Sequence, residues 1–180
     1  MIELLAVLSA SAAVGIRIAL PVLLFGLLQG QELWSEVPVL SNISSPFLLG
    51  LLTSWSVIEL TASKKLMGQR ILQIVEILFS PVIGAIMGLA VASASESPTW
   101  LIGITGALFA LVIQLVQLGW FFRLRGLPLW FVFIQDALSI ALIILAFLAP
   151  TPGGLIALGL LWFAIYSGKL WYDWYRGNGS

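Results

Sequence analysis

The sequence contains no cysteine and no histidine. Disulfides, thiolate nucleophiles, zinc and iron–sulfur sites, histidine-ligated haem and imidazole acid–base catalysis are therefore excluded together. No cofactor and no metal is expected. No nucleophile elbow, phosphate-binding loop or paired-acid motif takes their place, so the chain is not expected to be an enzyme. Charge is scarce too: 9% of residues are charged, against about a quarter in soluble domains. The basic and acidic residues balance to a net charge of zero, which gives no surface for nucleic acid or for acidic substrates. Met1, Ile2 and Glu3 supply no basic n-region, so the start of the chain reads as mature protein rather than as a cleaved signal peptide.

Apolar residues are abundant. They make up 61% of the 180 residues, with a mean hydropathy of +1.10, which marks an integral membrane protein. Six apolar runs are each about 20 residues long, the length of one crossing: 10–28, 45–63, 71–92, 100–122, 127–149 and 153–171. The runs are continuous rather than alternating, so they predict helices and not a barrel. The expected fold is an all-α membrane bundle of about six transmembrane helices in one polytopic domain, 1–180. Residues 2–9 are apolar as well, making the first run longer than one crossing demands.

Lys64, Lys65, Arg70, Arg123 and Arg125 fall between the second and third and between the fourth and fifth runs, and Lys169 and Arg176 lie at the C-terminal end. The other connections carry no basic residue; they hold Glu32, Trp34, Glu36, the glycosylation-like triplet Asn42-Ile43-Ser44, and Glu96. Cytoplasmic loops collect Lys and Arg, which predicts both termini in the cytoplasm of a multi-pass protein of the cell (inner) membrane. Trp34 and Trp100 are expected at the outer boundary, Trp120, Trp130, Trp171 and Trp174 at the inner one, and Trp55 and Trp162 between helices.

Four ionisable residues fall deep inside the apolar runs, Arg17, Glu59, Glu76 and Asp136, while Lys169 lies near the inner boundary of the last run and can snorkel. A charge at the centre of a membrane helix costs roughly 2.5 to 3.5 kcal/mol on insertion scales, so these side chains must face protein, water or a ligand. They are the candidate binding residues. Either Arg17 pairs with one acid and pins the bundle, or the four line a polar path for an ion, a proton or a headgroup. With one cation against three carboxylates, at least one acid lacks a deep partner. Gln114, Gln117 and Gln135 read as interhelical glue, and Gly84-Ala-Ile-Met-Gly88 as a helix-packing motif, used within the fold or between protomers. Pro21 and Pro81 are expected to kink their helices. In register, Arg17 to Pro21, Glu76 to Pro81 and Asp136 to Ser139 each place a charge about one turn before a proline or serine. Repeated helical hairpins of like direction would bring the three charges to one depth.

The segments Ser11-Ala-Ala-Val-Gly-Ile-Arg17 with Pro21, Ile58-Glu59-Leu60 with Lys64, Pro81-Val-Ile-Gly84 and Gln135-Asp136 with Ser139 together resemble the small bacterial multi-span proteins of domain of unknown function 4126. The resemblance implies a polytopic membrane protein and directs attention to Arg17, Glu59 and Asp136. The sequence departs from the family pattern at Ala62-Ser63-Lys64-Lys65, where an Asp-Lys step is usual, and at Gln135, where an acid is usual.

The functional expectation is a small transporter or channel-like protein with a buried charged centre. The alternatives are a scaffold subunit that contacts itself or another membrane protein through Gly84 and Gly88, and a lipid-binding protein with Arg17 holding an anionic headgroup. In every case the lipid bilayer is a partner.

Overall fold

Pro21 decides how the first apolar run folds. Proline lacks an amide proton and its ring collides with the carbonyl four residues earlier, so a helix cannot pass undisturbed from Arg17 into Pro21. In the computed structural model, which describes residues 2–29, 45–92 and 98–177, the run is divided into α1 (Ile2–Ile16) and α2 (Ala19–Gln29). Pro21 stands in the first turn of α2, where a backbone N–H has no intrahelical partner in any case. Five more helices follow: α3 (Ser45–Ala62), α4 (Leu66–Val91), α5 (Thr99–Leu124), α6 (Leu129–Leu148) and α7 (Pro150–Gly177). The described residues form no strand. Four helices, α4 to α7, are long and apolar enough to cross a membrane, so the chain is an all-helical membrane protein. Pro81 lies inside α4, which continues through it as one helix.

The two halves of the first run are antiparallel. Along α1, Val7 lies against Gly88, Ser9 Oγ donates to the Leu142 carbonyl at 2.7 Å, and Arg17 reaches Asp136 near the start of α6. α1 thus runs opposite to α6. α2 then climbs back beside α6, placing Phe25 on Phe147 with ring centroids 5.2 Å apart. The pair is a hairpin whose tip, Arg17 and Ile18, sits deep in the bundle and whose open ends share one side. The single helix expected over 10–28 is therefore two antiparallel helices that meet at Arg17 and Ile18. The hairpin also corrects the expectation of termini on one side: α1 starts at one end of the bundle and α7 finishes at the other. Composition records that a run is apolar, but not that it turns back.

α4, α5, α6 and α7 all pack directly on α1, while α2 packs on α3 and α6. The central helix is hydrophobic all round and residues 6–16 are entirely buried, as expected of a helix with no solvent- or lipid-facing stripe. Four neighbours fit because it is slim: Ser9, Ala10, Ser11, Ala12, Ala13 and Gly15 occupy its middle. A Cβ on Gly15 would stand 2.8 Å from the Ala110 carbonyl oxygen. The α4–α5 crossing is equally close, since a Cβ on Gly84 would stand 2.7 Å from the Gly106 oxygen and one on Gly106 would stand 2.5 Å from the Gly84 oxygen. α2, α4 and α6 run one way, and α3, α5 and α7 return.

The turn from α3 to α4 and that from α5 to α6 lie at one end of the bundle. Gln69 joins them: its Nε2 donates to the carbonyls of Ser63 (2.8 Å) and Leu127 (3.1 Å), and its Oε1 accepts from the Leu127 N–H (3.0 Å). α5 ends as Arg125 turns left-handed, with φ 55°, and the Gly126 N–H bonds back to the Phe121 carbonyl, a glycine-assisted helix stop. Lys64, Lys65, Arg70, Arg123 and Arg125 gather here with the C-terminal part of α7, so every basic residue except Arg17 belongs to this basic end. Trp162 was expected between helices but is 67% exposed, stacked on Tyr166 along the outer face of α7. Glu32, Trp34, Glu36, the Asn42 triplet and Glu96 lie outside the described residues, as do the side chains of Trp171 and Trp174.

Candidate functional site

One face of α4 carries Gln69, Gln73, Glu76, Ser80, Gly84 and Gly88, all buried. Spacings of three and four residues align side chains on one face of a helix, so this polar and slim stripe is turned inward by its own periodicity. α5 answers with Gly106, Ala110, Gln114 and Gln117, α6 with Gln135, Asp136 and Ser139, and α3 with Ser56 and Glu59. The hairpin tip enters where these faces converge.

The four candidate binding residues meet at that tip. Arg17 is 5% exposed, Glu59 and Glu76 are 1% and Asp136 is 9%. Arg17 Nε donates to Asp136 Oδ1 at 2.8 Å, and its Nη1 lies 3.3 Å from Glu76 Oε1. The guanidinium thus bridges two acids rather than one. Gln114 Nε2 donates to Glu76 Oε2 at 3.1 Å and to Gln73 Oε1 at 3.3 Å. Glu59 does something else: its oxygens accept the N–H groups of Ile18 (3.4 Å) and Ala19 (3.1 Å). A carboxylate in that place caps the start of α2 and faces the positive end of its dipole.

The other side of the tip is neutral. α1 ends with an orphan carbonyl at Gly15, which accepts from Gln117 Nε2 at 3.1 Å; Gln117 Oε1 in turn accepts from Gln135 Nε2 at 2.8 Å. Both halves of the broken run are therefore closed by side chains from other helices, as buried helix ends require. Among the described residues three buried polar atoms are left over: Ser56 Oγ, Ser80 Oγ and Gln114 Oε1 have no hydrogen-bond partner there. Each sits within a turn of Glu59 or Glu76, or on the residue that bonds Glu76. Among the described residues, no three acids converge as metal ligands do.

Sequence reasoning selected Arg17, Glu59, Glu76 and Asp136, and the fold brings all four together. It did not single out Gln73 or Ser56. The signal was available, since Gln73 precedes Glu76 and Ser56 precedes Glu59 by three residues, each on the same helix face. Gly84 and Gly88 are spent inside the bundle, against Gly106 and Val7, and offer no surface to another protomer. Arg17 spends its Nε and Nη1 on Asp136 and Glu76.

No curated protein and no solved structure matches the chain. The family model described as Domain of unknown function (DUF4126) matches residues 4–169, a stretch that contains the whole hairpin and all four charged residues of its tip; the chain belongs to that family.

Proposed function

We propose that the protein moves protons across the cell membrane through the charge cluster at the hairpin tip, as a small transporter or channel-like protein. The observation that carries this reading is the imbalance of the cluster, in which three buried carboxyls face one guanidinium. With every acid ionised, two negative charges stand uncompensated, offset in part by the roughly half charge at the start of α2. Effective burial of an unpaired ion costs several kcal/mol, so a cluster short of positive charge attracts a cation, and a proton is the smallest that can enter it. Arg17 gathers Glu76 of α4 and Asp136 of α6 around one guanidinium, so carboxyls on different helices stand at one point of the bundle. A proton shared between acids on two different helices passes from one to the other without leaving protein. Re-entrant and discontinuous helices at membrane depth, with charges at their inner ends, are a recurring construction of transport proteins.

The basic end is cytoplasmic under the positive-inside rule. α3 to α7 then make five crossings, and the α1–α2 hairpin enters from the outer side, with the N-terminus outside and the C-terminus inside.

Reconstitution tests the reading. Vesicles holding the protein, a trapped pH dye and an imposed potassium diffusion potential are expected to acidify, and Glu76→Gln or Asp136→Asn is expected to abolish the acidification. A parent protein that moves no protons, or variants that match it, would remove the proposal.

A further inference from the structure

We propose that the groove between α5 and α7 at the basic end holds one anionic phospholipid, with an acyl chain directed inward and the headgroup on Arg123. The site is distinct from the charge cluster and does not depend on proton movement. Two cavities, each of about 150 Å³, meet there and share Val116 and Trp120 as walls. The deeper one has α6 as its third wall, through Phe131, Ile134 and Leu138, is lined by Ile113, Leu160 and Phe163 from α5 and α7, and reaches the Gln117–Gln135 pair, whose amides are bonded to one another. The shallower one opens beside Gly119, Ser167, Gly168 and Arg123. Its width comes from the two glycines, because a Cβ added at either would meet nothing within 4 Å. The wall shared by the two cavities is fixed, because Trp120 Nε1 donates to Ser167 Oγ at 2.8 Å and the indole stacks on Phe131.

The groove changes character along its length, and that gradient names the occupant. Ile113 to Arg123 spans about 15 Å at the helical rise, half of the ~30 Å hydrocarbon core, so one leaflet's acyl chain fits its apolar depth. Arg123 stands in the last turn of α5, is exposed, and has no ion pair among the described residues. A guanidinium at that height matches a phosphodiester by charge and by its fork of donors. An uncharged hydrophobe would leave Arg123 unused, and a small soluble anion would leave the apolar depth empty.

The test is native mass spectrometry of the full chain in mild detergent after exchange into nanodiscs of phosphatidylglycerol or phosphatidylethanolamine. One phosphatidylglycerol per chain is expected to survive, with phosphatidylethanolamine lost. Arg123→Gln is expected to weaken retention about tenfold, the scale of one charge-assisted hydrogen bond. Gly119→Leu, placed where there is open space, is expected to fill the groove and abolish retention in a folded protein, whereas Arg125→Gln, outside the groove, retains lipid as the parent does. No retained lipid, equal retention of the two lipids, or undiminished retention by Gly119→Leu would each overturn the proposal.

Discussion

Arg17 Nε lies 2.8 Å from Asp136 Oδ1 although 119 positions separate the two residues, and this pair fastens the tip of a re-entrant hairpin to the start of α6. Removing one partner of a buried pair strands the other charge, at roughly 3 to 5 kcal/mol. Arg17→Met should therefore destabilise the bundle strongly, by leaving Glu76 and Asp136 facing each other. Asp136→Asn should cost less, because Glu76 still pairs with the guanidinium. Thermal unfolding in detergent of the two variants checks the order.

Glu59 is a helix cap made from a distant helix. Its loss exposes the Ile18 and Ala19 N–H groups in a dry interior, and a cap is worth about 0.5 to 2 kcal/mol. Glu59→Gln keeps an acceptor and should unfold close to the parent, whereas Glu59→Ala should lower the midpoint clearly. Hydrogen exchange at Ile18 and Ala19 should accelerate in the alanine variant alone.

The α4–α5 crossing leaves no room for a methyl group. A Cβ at Gly84 would lie 2.5 Å from Ala110 Cβ, and overpacking of this kind costs about 1 to 3 kcal/mol. Gly84→Ala should be destabilising, while Gly119→Ala, in open space, should be neutral. Parallel denaturation of the two variants separates a packing glycine from a permissive one.

Because the parent has no cysteine, single cysteines report topology cleanly. Ile2→Cys and Thr151→Cys should be labelled by a membrane-impermeant maleimide added to intact cells, and Lys64→Cys only after lysis. Labelling of Ile2→Cys only after lysis would mean that the first run crosses after all.

The membrane class, the approximate positions of five helices and all four charged residues of the cluster were legible in the sequence, because burying charge in an apolar run leaves a conspicuous mark. The hairpin was not. Pro21 announces a disturbance at Arg17, but a kink, a break and a reversal all satisfy the same local chemistry. What selects reversal is distant: Glu59 closes the start of α2, Gln117 closes the end of α1, and Phe147 receives Phe25. The two polar residues missed between the conspicuous charges, Gln73 and Ser56, carry no formal charge, and only their spacing from Glu76 and Glu59 betrays them. The surplus of apolar residues 2–9 was the clearest trace of a second helix in the first run, since a single crossing does not need it.

The enclosure of α1 sets an order of assembly. Its slot is walled in part by α7, through Gly153 beside Ser9 and Gly154 beside Leu5, so α1, though made before α7, cannot be fully housed until α7 has arrived. Chains halted before α7 must therefore hold a serine- and alanine-rich helix with an arginine at its foot in an unfinished pocket.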